Sequence, residues 1–148
     1  MTTNQTKNNV YTVNIDGASR GNPGPSGAGA VIQAPDGNRY EASRYLGDRT
    51  NNQAEYEALI LALEELKKLG VRRAHFYSDS QLLVKQLNAE YRIRNDGLKP
   101  LFGKALTELS ELESFEVQLV KREFNKRADQ LANFAIDREE STGTTERS

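Results

Sequence analysis

Four carboxylates stand apart from the other acidic residues of this chain, which has 148 residues and 21 Asp and Glu. Most of the acids lie where a solvated helix face would put them, as in "LEELKK" and "ELSELES". Asp16 instead ends the alternating, β-branched run "VYTVNID", and Asp79 ends "RRAHFYSD". Glu55 follows "TNNQ" in the first turns of an apolar-periodic segment, and Asp129 opens another such segment in "NKRADQLA". Each has a plain structural reading alone: Asp79 as a helix N-cap before "SQLLV", Asp129 and Glu55 as negative charge at a helix N-terminus. Those readings do not account for four acids falling on one edge of a sheet, with no cationic partner evident for each. Carboxylates gathered there repel one another and their pKa values rise. Hard divalent cations remove that penalty, and an oxygen-only ligand set suits Mg²⁺ or Mn²⁺ rather than zinc. A pair of such ions about 3.5–4 Å apart clamps the attacking and leaving oxygens of a phosphodiester. Metal-assisted phosphoryl transfer of this kind needs no His, Cys or Ser nucleophile.

The elements that must position these acids follow from periodicity. "VYTVNID" and "GAGAVIQAPDGNRYEASRYLG" read as three strands, the last two joined by the turn Pro35-Asp36-Gly37-Asn38. From Asn51 to Leu69 the apolar residues Leu59, Ala62, Leu63, Leu66 and Leu69 recur at helical spacing, and Gly70 closes the helix. A strand over "RRAHFYSD" follows, then helices over "SQLLVKQLNAEY", with Ser80 near its cap, and "GLKPLFGKALTELSEL". The strand "FEVQLVKRE" and the helix "KRADQLANFAID" complete the order β-β-β-α-β-α-α-β-α. Late strands separated by helices pair in parallel, so the fold class is α/β: three layers, a five-stranded mixed sheet with helices on its faces. One domain over residues 10–137 is expected, with mobile segments at 1–9 and 138–148, where apolar residues are few.

Composition bounds the function less tightly. The chain has no Cys, which excludes a disulfide frame or thiolate metal site and fits a reducing compartment. A polar N-terminus with no long apolar run argues against a leader or a membrane span, and the expected location is cytoplasmic. At a net charge of −1, nucleic-acid binding would need a local basic patch.

"DGASRGNPGPSGAG", "TNNQAEYEALILAL", "YSDSQLLVKQL" and "REFNKRADQLANFA", in this order, resemble the type 1 ribonuclease H family over about Val10 to Ile136. The resemblance implies endonucleolytic hydrolysis of the RNA strand of an RNA–DNA hybrid, leaving 5′-phosphate and 3′-hydroxyl ends. It implies two Mg²⁺ ions, with Mn²⁺ as a substitute, held by Asp16, Glu55, Asp79 and Asp129 as both metal ligands and catalytic residues. It places the glycine-rich stretch in the hybrid's minor groove, where 2′-hydroxyls distinguish RNA from DNA. Substrate contacts are implied for Gly17, Ser19, Arg20, Gly21, Asn22, Thr50, Asn51, Asn52 and Gln81. The missing Cβ atoms of Gly17, Gly21 and Gly24 would let backbone amides approach a ligand. The stretch lacks the Gly-Lys-Ser/Thr of a nucleotide P-loop. No protein partner is implied, and a monomer is expected.

The chain departs from the family pattern in two places. Many members carry a His in a glycine-rich loop before the last acid; "VKREFNKRAD" has none, leaving Arg122 or Glu123 to occupy that space. The single histidine, His75, lies within a strand and reads as structural. A basic protrusion found in some members is also missing, so hybrid binding would rely on Arg92, Arg94, Lys99, Lys121, Arg122, Lys126 and Arg127 and weaken steeply with salt. Short members of this kind have been linked to cleavage of double-stranded RNA, which the sequence leaves open. Two other readings fit the acids: a DNA-processing nuclease or transposase of the same fold, and a hybrid-binding module without catalysis. The wording of the motifs fits the first poorly, and the retention of all four acids argues against the second.

Overall fold

A computed structural model describes residues 9–147, with side chains through residue 140; the N-terminal segment expected to be mobile lies outside this range except for Asn9. The chain forms β1 (Tyr11–Ser19), β2 (Gly24–Gln33), β3 (Arg39–Arg49), α1 (Asn51–Lys68), β4 (Arg73–Ser78), α2 (Gln81–Leu87), α3 (Lys99–Ser110), β5 (Ser114–Leu119), a 3-10 turn (Arg122–Phe124) and α4 (Lys126–Arg147). The sheet order is β3-β2-β1-β4-β5. β1, β2 and β3 form an antiparallel meander, while β1–β4 and β4–β5 pair in parallel, giving the mixed sheet that the order of elements implies.

The β2–β3 hairpin turns where expected. Gly37 takes φ +94, Asn38 N donates to Asp36 Oδ1 at 2.9 Å, and Ala34 N donates to Asn38 O at 2.8 Å. α1 starts on a complete capping box: Gln53 N donates to Thr50 Oγ1 (3.1 Å) and Thr50 N donates to Gln53 Oε1 (2.9 Å). It buries Leu59, Ala62, Leu63 and Leu66 and ends before Gly70, at φ +69. The main core lies between the sheet and the α1–α3 layer, built on Val13, Ile15, Phe76, Leu59, Leu98 and Leu109. On the opposite face α4 packs over β1, β2 and β3 with a smaller cluster of Val31, Ala128 and Leu131.

Four boundaries differ from the sequence reading: α2 stops at Leu87, short of "NAEY", β5 stops at Leu119 ahead of the 3-10 turn, and the other two concern β1 and α4. β1 does not end at Asp16: its ladder with β2 continues through Asp16↔Gly29, Gly17↔Ala28, Ala18↔Gly27 and Ser19↔Ser26. Much of the glycine-rich stretch is therefore strand, because helices pack against it from both sides and supply the burial that glycine lacks. Asp16 instead lies just beyond the parallel pairing of β1 with β4, whose last pair is Asn14↔Tyr77. α4 also continues past Asp137, through the segment that its composition marks as a tail.

Candidate active site

Three of the four acids meet at the carboxyl ends of the parallel strands, the usual site edge of an α/β sheet. Asp16 follows the last β1–β4 pair and Asp79 follows β4 directly, so the parallel register sets them side by side. Glu55, in the second turn of α1, reaches across from the helical layer. Its Oε1 accepts a hydrogen bond from Gly17 N, which fixes the carboxylate against β1. One carboxylate oxygen from each of Asp16, Glu55 and Asp79 lies within 4.8 Å of the others.

Gly17 permits this approach, for a reason different from the expected one. A Cβ at Gly17 would stand 2.2 Å from Ala54 C and 2.5 Å from Glu55 N. The space a side chain would fill is taken by the backbone of α1. Gly24 likewise gives space to the Arg20 carbonyl, 2.2 Å from where its Cβ would stand.

Asp129 approaches from the other face. Asn125, 2% exposed, precedes α4 and donates from Nδ2 to Ile15 O at 2.8 Å, while Asn14 Nδ2 donates to Asn125 Oδ1 at 3.0 Å. These bonds staple the start of α4 onto β1 beside Asp16, and Asp129 N donates to Asn125 O at 3.2 Å. Asp129 then lines the same cleft of about 440 Å³ as Asp16, Glu55 and Asp79. Sequence reasoning passed over Asn125 and Asn14; the only signal was an Asn placed just ahead of a periodic segment.

The remaining cleft wall is polar: Gly17, Ala18, Ser19, Asn51, Asn52, Ser80 and Arg122. Of the other residues expected at the substrate, Arg20, Gly21, Asn22, Thr50 and Gln81 lie outside this lining. Thr50 caps α1, and Asn22 Oδ1 accepts from Asn51 N at 2.9 Å, latching the β1–β2 turn to the start of α1. The Arg20 guanidinium turns onto α4, pairing with Asp137 at 2.7 Å. Gln81 is exposed at the start of α2. The cap of that helix is Ser80, whose Oγ accepts from Leu83 N at 3.2 Å, so Asp79 is free of the capping duty that its position suggested.

Among the expected phosphate-binding cations, Arg122 faces the cleft, Arg127 is committed to Glu41 through two 2.8 Å hydrogen bonds, and Lys99 pairs with Asp96 at 3.1 Å. His75 is held at both ring nitrogens, by Glu116 (3.2 Å) and Gln118 (3.0 Å), with Tyr77 stacked on it, on the strand and outside the cleft lining.

Electrostatics single out the cluster. Asp16 is only 7% exposed and Glu55 8%. Burial pushes the Asp16 carboxyl far above the usual carboxylate range, and the charges of Glu55 and Asp79 add to it. Burial also raises Glu55, opposed by the Gly17 N–H and, more weakly, by the charge of Arg122. Deeply placed carboxylates that Arg122 compensates only in part, offering only oxygens, fit a hard divalent cation.

The chain as a whole is similar in sequence and in fold to several known proteins. A family profile described as "Reverse transcriptase-like" matches residues 14–135. A bifunctional protein of Mycobacterium tuberculosis is 38% identical over 127 residues, covering 84% of this chain but 35% of that relative; the chain thus spans about a third of its length. The ribonuclease H of Desulforamulus reducens is 36% identical over 148 residues, covering 89% of this chain and 91% of the relative. Among solved structures, LC11-RNase H1 in complex with an RNA/DNA hybrid superposes with a TM-score of 0.82 at 40% identity, covering 87% of this chain and 98% of that one. No helix among the described residues is long and apolar enough to cross a membrane. With sequence likeness running nearly end to end through the ribonuclease of D. reducens, and four acids brought to one edge of the matching fold, the chain belongs to the ribonuclease H family.

Proposed function

We propose that this protein is a metal-dependent endoribonuclease that hydrolyses the RNA strand of RNA–DNA hybrids, leaving 5′-phosphate and 3′-hydroxyl ends. The observation that carries the proposal is the gathering of Asp16, Glu55, Asp79 and Asp129 around one polar cleft, without a protein cation to neutralise each. These four would hold the ions, two Mg²⁺ in the active complex or Mn²⁺ in their place, which would supply Lewis-acid chemistry for the attacking water and the leaving 3′ oxygen.

The chain's own groups bind and orient. Gly17 N–H holds the Glu55 carboxylate in place. Arg122 brings the one guanidinium in the cleft lining, where it balances the scissile phosphate and takes the space of the loop histidine found in many relatives. Ser19, Asn51 and Asn52 line the adjoining wall and present polar groups to the minor-groove sugars. The backbone of Gly17 and the turn carrying Arg20, Gly21 and Asn22 complete the surface that receives the RNA strand, with Gln81 and the helix start at Thr50 at its borders. Residues 10–137 act as one catalytic domain, as a monomer in the cytoplasm.

The deciding experiment is a gel cleavage assay on one sequence prepared as RNA–DNA hybrid, duplex RNA and duplex DNA, each with Mg²⁺ and with EDTA. Cutting of the hybrid's RNA strand that EDTA abolishes is the expected result. Cutting of duplex RNA as well would broaden the substrate class. A hybrid that binds and stays intact in Mg²⁺ would refute catalysis.

A further inference from the structure

Asp129 is held from within its own helix. One turn further along α4, Asn133 donates from Nδ2 to Asp129 Oδ1 at 3.2 Å and to the Asp129 carbonyl at 3.0 Å. Asn133 Oδ1 accepts from Arg20 Nη2 at 3.2 Å, and the Asn133 carbonyl lies 3.5 Å from the same nitrogen. Arg20 is itself pinned, with Nη1 2.7 Å from Asp137 and 3.6 Å from Glu140. A line of polar contacts therefore runs from the β1–β2 turn to the fourth acid.

The order of the groups along this line is what matters. A carboxamide offers an acceptor on one side and donors on the other, and a half-turn exchanges them. With the half-turn made, the Asn133 oxygen would face the Asp129 carboxylate and its NH₂ would face the Arg20 guanidinium, two repulsive contacts. Arg20 thus selects the orientation in which Asn133 donates to Asp129. The need for such a holder is specific to Asp129. The oxygens of Asp16, Glu55 and Asp79 converge within 4.8 Å of one another, whereas Asp129 comes from the opposite layer and meets the group through Asp16 alone, so the direction of its carboxylate decides how it faces the cleft.

We infer that Asn133 is the positioning residue of Asp129, locked in its donating orientation by Arg20, so that the turn expected to meet the hybrid is joined to the metal-binding cleft. The inference rests on the reading of the four acids as metal ligands. Hydrogen-bond partners of metal-binding carboxylates fix ligand direction, and their loss commonly weakens metal binding by about 10–100-fold.

The test is Mn²⁺ binding to the substrate-free protein, followed by the electron paramagnetic resonance signal of free Mn²⁺, with melting in EDTA as the structural control. Asn133→Ala keeps helix propensity and should weaken Mn²⁺ binding by about tenfold or more while melting like the parent. Arg20→Ala should weaken it less, and the double variant should bind no more weakly than Asn133→Ala alone. Arg20 lies on the surface, so its variant folds even if Asn133→Ala unfolds early, and parental Mn²⁺ affinity in Arg20→Ala would then overturn the inference. Parental Mn²⁺ affinity in Asn133→Ala would overturn the role of Asn133, and fully additive losses would overturn its coupling to Arg20. A parent protein that binds no Mn²⁺ would overturn the four-acid reading and this inference with it.

Discussion

Gly29 lies opposite Asp16 in the β1–β2 ladder and faces α4, which makes Gly29→Ala a direct probe of how the fourth acid is delivered. A Cβ at this position would stand 2.3 Å from Ala128 O, 2.8 Å from Ala132 N and 2.8 Å from Leu131 Cβ. Carbon and oxygen normally approach to about 3.3 Å, so α4 must retreat by roughly 1 Å at Ala128. The two closest polar neighbours are helix backbone, and no rotamer change relieves them. Overpacking of this kind costs about 1–3 kcal/mol. For a chain of this size that lowers the melting temperature by roughly 3–10 °C. Asp129 follows Ala128 directly and moves with it; with Asp129 as a proposed metal ligand, a displacement of about 1 Å is worth roughly 10²-fold in rate. The assay is hybrid cleavage at saturating Mg²⁺, paired with thermal melting in EDTA. Gly103→Ala is the control: a Cβ there meets nothing within 4 Å in the exposed interior of α3. It should stabilise by about 0.5–1 kcal/mol and leave turnover unchanged. A Gly29→Ala protein that melts and turns over like its parent would refute the reasoning.

Asp79→Asn should melt like the parent, since Ser80 and not Asp79 caps α2, while turnover of the hybrid falls by orders of magnitude; near-normal turnover would remove Asp79 from the site. Burial raises the Asp16 carboxyl in the folded state, so its contribution to stability is full below the unfolded value near 4 and is lost as pH rises through the raised one. In EDTA, Asp16→Asn should therefore gain melting temperature over the parent at pH 8 and little at pH 4, and an equal difference at both would sink the account. Lys126→Ala should reduce the salt dependence of hybrid affinity by about one phosphate contact, whereas Arg127→Ala should leave it unchanged, because Arg127 is engaged with Glu41. Equal slopes for the two variants would contradict that assignment.

Much of this architecture was legible in the sequence. Alternation marked the strands, Leu59 through Leu66 marked the buried stripe of α1 although Leu69, read as part of it, is exposed at the helix end, and the Pro35–Asn38 turn was written in its residue types. What escaped were contacts between distant segments. The Asn125–Ile15 bond and the Arg20–Asn133 bond span separations of 110 and 113 residues, and nothing local distinguishes these asparagines from ordinary turn or surface residues. Glycine misled for a related reason. Its low strand propensity suggests a loop after Asp16, yet a helix backbone pressed against the strand removes the need for a side chain there.

That use of glycine explains why acids from both sides of the sheet can meet. Neighbouring strand residues face opposite layers, so Gly17 admits the Ala54–Glu55 backbone of α1 on one face while Gly29 admits the Ala128 region of α4 on the other. Asp16 shares its face with Gly29, and its neighbour Gly17 donates to Glu55. α1 reaches backbone contact at Gly17 of β1 and α4 at Gly27 and Gly29 of β2, opposite Ala18 and Asp16, along the stretch of β1 that runs beyond its parallel partner β4. Ordinary side chains at positions 17 and 29 would hold both helices away and leave Glu55 and Asp129 short of Asp16. The burial and repulsion accumulated at Asp16 are then a consequence of packing imposed from both layers, and cations bound in the cleft would offset them.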